Sequence, residues 1–304
     1  MTPTPAHPDP ADLQVHRLTR RFGEITALDE VTFTVPAGRM VGFVGGNGAG
    51  KTTTMRIVMG VLAADAGAVR WGGAPVSAAD RARFGYMPEE RGLYPKQKVL
   101  DQLVYLGRLH RMSEDDARAR ATEHLARFGL GDRLDDKLET LSLGNQQRVQ
   151  IVAAVLHRPT ALILDEPFSG LDPDAVDAMA AVLRTHCNAG VPVLFSSHQL
   201  DLVERLCDDV VVLARGRVVA EGTPATLRDK GTRRWRIVLD GDAGWVRGLG
   251  HLHVADVDRH TAVVEPLTDT AVHDLLAEAV RRGPVHEFTR IVPALSEIYR
   301  EVSA

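Results

Sequence analysis

The 304-residue chain predicts an α/β domain built on a parallel sheet, followed by a small α+β domain. Three observations predict it. A strand-like run at 40–45, MVGFVG, passes straight into a glycine-rich stretch and then into a helical pattern. Further on, apolar runs of strand length alternate with segments of helical periodicity, as units covered on both faces of a parallel sheet require. Around 229–232 that alternation breaks, and a different set of short strands and helices follows. These signals place the main domain at 13–229 and the accessory domain at 230–304.

Residues 1–12, MTPTPAHPDPAD, are proline-rich and lack both a basic start and an apolar core. They read as a disordered leader and not as a signal peptide. Residues 13–18 and 28–35 alternate apolar and polar positions, predicting antiparallel strands. After the strand at 40–45, Lys51 to Met59 reads as a helix, and Gly67 to Gly73 as a hairpin or turn. From Val99 to Phe128 the pattern is helical, with Ser113 as an N-cap followed by Glu114, Asp115 and Asp116 in an acidic first turn. Another helix, carrying QQRVQIVAAVLH, follows LSLGN at 141–145. ALILD at 161–165 and VPVLFSSH at 191–198 are buried-strand runs separated by a helix over Ala175–His186. The run 210–222, VVVLARGRVVAEG, closes the domain as a hairpin. In the tail, WRIVL, HLHVADV, TAVVEPL and VHEFTRI read as strands, with helices near 270–282 and 293–302.

Hydrophobic residues make up 44% and charged residues 25%, with a net charge of −4, which is an ordinary globular balance and no nucleic-acid footprint. The basic stretches Arg17–Arg21 and Arg81–Arg83 read as solvated faces. The two cysteines, Cys187 and Cys207, have no metal-ligand spacing and read as reduced, structural thiols. No apolar run approaches the ~18 residues that span a bilayer. A membrane role would therefore need a membrane part from another chain.

The chemistry starts at 45–52. Gly45, Gly46, Asn47, Gly48, Ala49, Gly50, Lys51 and Thr52 fit G-x-x-x-x-G-K-[ST], and Thr53 continues the run. Glycines let the backbone approach a phosphate closely, and the helix behind adds its positive end. Lys51 would contact the β- and γ-phosphates, and the Thr52 hydroxyl would bind Mg²⁺. Asp165 and Glu166 end the strand ALILDEP, at the edge where such sheets open a ligand crevice. Asp165 is expected to hold Mg²⁺, and Glu166 to orient or deprotonate an attacking water.

Over most of residues 13–228 this order of motifs resembles an ATP-binding cassette (ABC) ATPase. The resemblance implies a RecA-like P-loop sheet with an antiparallel β subdomain and a helical subdomain at about 90–142. It implies ATP and Mg²⁺ as ligands. Phe22 matches the family's adenine-stacking aromatic, with a core phenylalanine as the other reading. Ser142, Gly144 and Asn145 match the signature that contacts a γ-phosphate. Asp172, in SGLDP, matches an acid that communicates between sites, and His198, in SSHQL, a histidine that contacts the γ-phosphate. Two positions depart from the family. Glu89 stands where a glutamine is usual, so it is expected near Mg²⁺ with one extra negative charge. The signature reads LSLGN where LSGGQ is commoner. Together with EERGLYP and the tail, these variants resemble a branch of exporter subunits linked to sodium extrusion and drug or antibiotic efflux.

The implied function is ATP hydrolysis that powers a separate transmembrane permease from the cytoplasmic face of the membrane. One loop and one signature per chain imply a second ATP-binding subunit, with a homodimer expected and no nucleic acid as partner. Tyr94, Pro95 and Val99 are candidates for permease contact or for core. His251 and His253 alternate on one strand face, but no third metal ligand stands near. The competing reading is a soluble ABC ATPase acting on ribosomes or DNA. Translation-factor relatives carry two cassettes, and chromosome-maintenance relatives a long coiled coil. Only ~90 residues without sustained heptads separate the two motifs here. No N-K-x-D run supports a GTPase.

Overall fold

The computed structural model describes residues 11–90, 92–268 and 270–303. The expected leader lies outside the described residues up to residue 10. At its end Asp12 already belongs to the fold: its carboxylate accepts from the Ala37 amide at 2.8 Å and its carbonyl from Gly72 at 3.0 Å. The chain divides into two units, one ending at Pro224 and the other beginning at Ala225.

In the first unit, β1 (Leu13–Phe22) and β2 (Ile25–Val35) form an antiparallel hairpin, closed where Gly23 takes φ +60°. β3 (Met40–Val44) follows, then α1 (Lys51–Val58), β4 (Ala66–Trp71), β5 (Ala74–Pro75), α2 (Ala78–Arg81) and β6 (Phe84–Met87). The chain then enters the helices α3 (Val99–Leu109), α4 (Glu114–Arg127) and α5 (Leu143–Val155). β7 (Ala161–Leu164), α6 (Pro173–Asn188), β8 (Val193–Ser197), α7 (Leu200–Leu206), β9 (Asp209–Ala214) and β10 (Arg217–Gly222) complete the unit. The expected strands at 13–18 and 28–35 are parts of longer ones, because both extend into the hairpin. Between α3 and α4 the expected helical stretch is interrupted: Arg111 takes φ +64° before Ser113 caps α4 by accepting from the Asp116 amide at 3.1 Å.

Two sheets result, β2-β1-β4-β5 and β10-β9-β3-β8-β7-β6. In the second, β9, β3, β8, β7 and β6 run parallel, and β10 pairs antiparallel at the edge. β3, β7 and β8 are buried along their whole length, which is why they read as continuous apolar runs. Between the sheets lies a core that includes Leu18, Leu28, Phe33, Phe43 and Met55, with the Phe33 and Phe43 rings 5.0 Å apart. Register sets the functional edge: Val44 pairs with Ser197, Leu164 with Phe195, and Met87 with Leu164. Four strands therefore release their chains side by side at their C-terminal ends, where an open parallel sheet presents its ligand crevice.

The basic stretches are taken up locally, Arg20 by Asp65 at 2.7 Å, Arg81 by the Val58 carbonyl at 2.9 Å and Arg83 by Asp80 at 3.1 Å. Cys187 and Cys207 are free and buried. Burial pushes the Cys187 thiol up to about 11 and Cys207 well above its ordinary value, so both behave as small apolar side chains.

The second unit holds most of α8 (Pro224–Lys230), then β11 (Arg234–Leu239), β12 (Leu252–Asp258), β13 (Thr261–Pro266), α9 (Ala271–Arg282), β14 (Val285–Ile291) and α10 (Leu295–Ser303). Its antiparallel sheet has the order β12-β13-β11-β14. Ala271, Leu275 and Ala279 of α9 bury against Ile237, Leu239, Ala262 and Val264, a core separate from the one above. The other face of β11 carries the cross-strand pairs Arg234–Glu265 and Arg236–Glu287.

Candidate functional site

The loop after β3 wraps back on itself. Gly50, the N-cap of α1, takes φ +106°, and a Cβ there would meet the Ala27 carbonyl at 2.8 Å. Only glycine fits that turn. Lys51 Nζ donates to the Gly45 carbonyl at 2.7 Å, folding the ammonium over the loop. Gly46, Asn47, Gly48, Ala49, Gly50, Lys51, Thr52 and Thr53 line a cleft of about 320 Å³ with Ala27, Glu89, Asp165 and Glu166. A second hollow of about 540 Å³ is lined by Asn47, Glu89, Gln147, Glu166, Ser169 and His198. Asn47, Glu89 and Glu166 belong to both. All eight positions from Gly46 to Thr53 thus meet the acids expected from the ends of β6 and β7.

The acids are held differently. Asp165 is buried, its backbone amide bonded to the Met87 carbonyl at 2.8 Å. One carboxylate oxygen accepts from the Ser196 hydroxyl, while Oδ2 is buried with no hydrogen-bond partner. A buried carboxylate oxygen without a donor calls for a cation or its water. Together with Thr52 and Glu89 on the same cleft, it fits the expected Mg²⁺.

Glu166 sits at φ +50° immediately before a proline, a conformation costing about 1 kcal/mol or more for a side-chain-bearing residue. Three neighbours hold it there. Its amide donates to Ser196 Oγ at 2.8 Å, and its carbonyl accepts from Gln147 Nε2 at 3.0 Å. Its carboxylate Oε2 lies 3.0 Å from His198 Nδ1, where a ring N–H donates to it. Sequence reading missed Ser196 and Gln147. Ser196 carried only a faint signal, a hydroxyl in a fully buried strand that also ends in Ser197; Gln147 looked like any helix residue.

Other expected residues lie elsewhere. Ser142, Gly144, Asn145 and Asp172 line neither cleft. Ser142 caps α5, its Oγ accepting from the Asn145 amide at 3.3 Å, which leaves its own O–H to donate outward. Leu143 beside it is 61% exposed. Asp172 caps α6 through the Ala175 amide at 2.8 Å and accepts from Arg148 of α5 at 3.1 Å. The signature helix is thus tied to the Asp172 loop by Arg148 and to the Glu166 turn by Gln147. Phe22 is 46% exposed, so it is not a core residue; the Arg20 guanidinium lies 4.8 Å over its ring. Of the permease-contact candidates, Tyr94 and Pro95 are exposed but Val99 is fully buried at the start of α3. Val99 is a core residue, because the first turn of α3 packs inward. Among the described residues no group of three or more His, Cys, Asp or Glu is placed to hold a metal, His251 and His253 included. No described helix is long and apolar enough to cross a membrane.

Residues 28–169 match the family profile described as "ABC transporter". The chain is 37% identical over 290 residues to the uncharacterized ABC transporter ATP-binding protein YhaQ of Bacillus subtilis (strain 168), covering 95% of this chain and 97% of the relative. It is 31% identical to the linearmycin resistance ATP-binding protein LnrL of the same organism, over 88% of this chain and 90% of the relative. Identity is 36% to the Nod factor export ATP-binding protein I of Paraburkholderia xenovorans (strain LB400), over 71% of this chain and 72% of the relative. Among solved structures, an ATP-binding subunit of an ABC transporter matches at TM-score 0.67 with 35% identity, covering 72% of this chain and 92% of that one.

Proposed function

The chain belongs to the ABC transporter ATP-binding proteins, a family of ATPases, and we propose that it drives export through a separate transmembrane permease, working as one of two identical ATP-binding subunits. The observation that carries the reading is the Glu166 carboxylate, set on a strained turn at the mouth of the glycine-loop cleft and held by His198.

In this reading the loop amides and Lys51 bind the phosphates of ATP, Lys51 exchanging its carbonyl partners for phosphate oxygens. Thr52, Asp165 and Glu89 hold Mg²⁺, which neutralises charge on the phosphates. Glu166 accepts a proton from the attacking water, and His198 keeps that carboxylate aimed while its other ring nitrogen faces the nucleotide. Phe22 offers the ring face away from Arg20 to the adenine. The signature residues Ser142, Gly144 and Asn145 lie outside the lining of this cleft, with the Ser142 donor unspent. They serve the cleft of a partner subunit, and Asp172 reports between the two through Arg148.

Two kinds of support favour export. The variants LSLGN and Glu89 fit the exporter branch that the sequence resembles, and two relatives carry names that refer to linearmycin resistance and to Nod factor export. Tyr94 and Pro95, exposed at the entrance to the helical region, are the surface offered to the permease, from the cytoplasmic face of the membrane.

The test is fractionation followed by capture. The Glu166→Gln chain with ATP should form a dimer by light scattering and retain a polytopic membrane protein from detergent extracts. Cells lacking the chain should accumulate that transporter's substrate. Recovery in a ribosomal or nucleoid fraction without a membrane partner would sink the proposal.

A further inference from the structure

A hollow of about 780 Å³ in the second unit is more than twice the volume of the glycine-loop cleft and shares no residue with it. We propose that this pocket binds a small amphipathic organic anion, with an aromatic or short acyl body and a carboxylate, sulfonate or phosphate head. The proposal does not depend on the transport reading above.

The pocket follows from how one helix covers a sheet. The inner face of the sheet carries Trp235, Ile237, Ala262, Val264 and Phe288, since Trp235 and Ile237 pair across the strands with Val264 and Ala262. α9 buries Ala271, Leu275 and Ala279 over the middle of that face. Its flank residues Val272 and Leu276 stay half-buried, and they face the end of the sheet where Trp235 and Phe288 lie. Those two rings are stacked, 5.0 Å apart at 23°. At the rim Leu267 is 64% exposed. A half-buried aromatic pair beside an exposed leucine is apolar surface that the unit itself leaves wet, and covering it with an apolar body is favourable.

Charge selects the head group. Among the described residues the lining includes Arg233, Arg290 and His273, and no carboxylate. Arg290 pairs across the strands with Trp235, which places it on the same inner face. One of its donors goes to Asp229 at 3.1 Å, and a guanidinium has five, so the fork keeps donors for an anion. Sheet on one side and helix on the other wall the hollow, and its volume lies in the range of small-molecule sites, about 300–1,000 Å³. Those walls favour a compact occupant over a membrane surface or a docked domain.

The probe is 1-anilinonaphthalene-8-sulfonate, an aromatic sulfonate, titrated into the full-length chain with MgADP saturating the nucleotide cleft. Fluorescence should report one saturable site per chain. Arg290→Gln should weaken binding about tenfold, the scale of one charge-assisted hydrogen bond. Leu267→Asp, at an exposed position that tolerates polarity, should weaken it by about as much or more. The neutral N-phenyl-1-naphthylamine should bind the natural chain about tenfold more weakly than the sulfonate and be indifferent to Arg290→Gln. Equal affinities for the two probes, sulfonate binding untouched by both substitutions, or no saturable site would overturn the proposal.

Discussion

The cleft under the glycine loop and the pocket beside α9 are built from opposite materials. The first is lined by a contiguous run from Gly46 to Thr53 plus three acids, and it recognises through backbone amides and charge. The second is lined by Trp235, Phe288, Leu267, Val272 and Leu276, gathered from three strands' ends and a helix, with cations at its rim. Phosphate chemistry needs fixed backbone spacing, so it is written as a motif. An apolar pocket needs only volume and burial, so many sequences make it and none announces it. If the two are independent devices, each should be removable without disturbing the other.

The largest expected effect removes the first alone. Glu166→Gln keeps shape and the His198 contact but loses the proton acceptor. ATP turnover should fall about a hundredfold or more, as expected when a general base is removed. Nucleotide affinity should stay within about threefold, a change smaller than one hydrogen bond, and sulfonate binding at the α9 pocket should be unchanged. Turnover at the natural rate would take Glu166 out of the chemistry. Altered sulfonate binding would show that the two sites are coupled.

Acid should also separate the two units. His157 lies against β6, its ring stacked 3.7 Å from His110 and its Nε2 3.3 Å from the Phe84 carbonyl. Burial, with the neighbouring His110 adding, lowers its pKa from 6.5 to about 4. Burial likewise lowers His124 to about 4. Between 6.5 and 4 the unfolded chain takes up protons that the folded chain refuses. The two histidines' contribution to the stability of the first unit is therefore level above about pH 7 and falls as pH drops through that window, by at most roughly 3 kcal/mol for His157. Calorimetry between pH 7.5 and 4.5 should show its transition moving down. His157→Phe keeps the stack on His110 and should make that slope shallower, with His124 supplying what remains, at about 1 kcal/mol in neutral stability for the lost hydrogen bond. An unaltered slope in the variant would show that His157 is not one of the acid-sensitive groups.

Ser196→Ala is expected to act on both rate and stability within the first unit. The hydroxyl is fully buried, donates to Asp165 and accepts from the Glu166 amide. Its removal leaves that amide unpaired, costing about 1–3 kcal/mol, and lets the strained turn relax. Turnover should drop about tenfold with little change in nucleotide affinity, the pattern of a positioning residue. A drop in affinity with turnover intact would mean that Ser196 serves Asp165 and Mg²⁺ and not Glu166.

These effects also show what the sequence could disclose. The glycine loop, Asp165, Glu166 and His198 were legible because each follows a buried parallel strand, and strand ends in register converge by geometry. Gln147 and Ser196 were not, because their roles depend on which backbone group the fold brings opposite them. Val99 stayed open between permease contact and core because helical periodicity does not say which face of α3 meets the core. The tail's strands and helices were legible from alternation, but its pocket depends on how far α9 reaches along the sheet.

The smallest expected effect concerns Glu89, one of the three positions that the two hollows at the glycine loop share. Glu89 is exposed at the end of β6, beside the loop and opposite Glu166. In the proposed site its carboxylate would approach Mg²⁺ and would also set a negative charge near the phosphates. At an exposed site water screens that charge, so repulsion and metal attraction are both modest. Glu89→Gln keeps an oxygen for the metal's water shell and removes the charge. Turnover should stay within about threefold, and the KM for MgATP should fall slightly, since one exposed charge is worth less than about 1 kcal/mol. The α9 pocket should not respond at all. Loss of turnover in this variant would give the carboxylate a proton-handling role, and the cleft would then use two bases where one suffices.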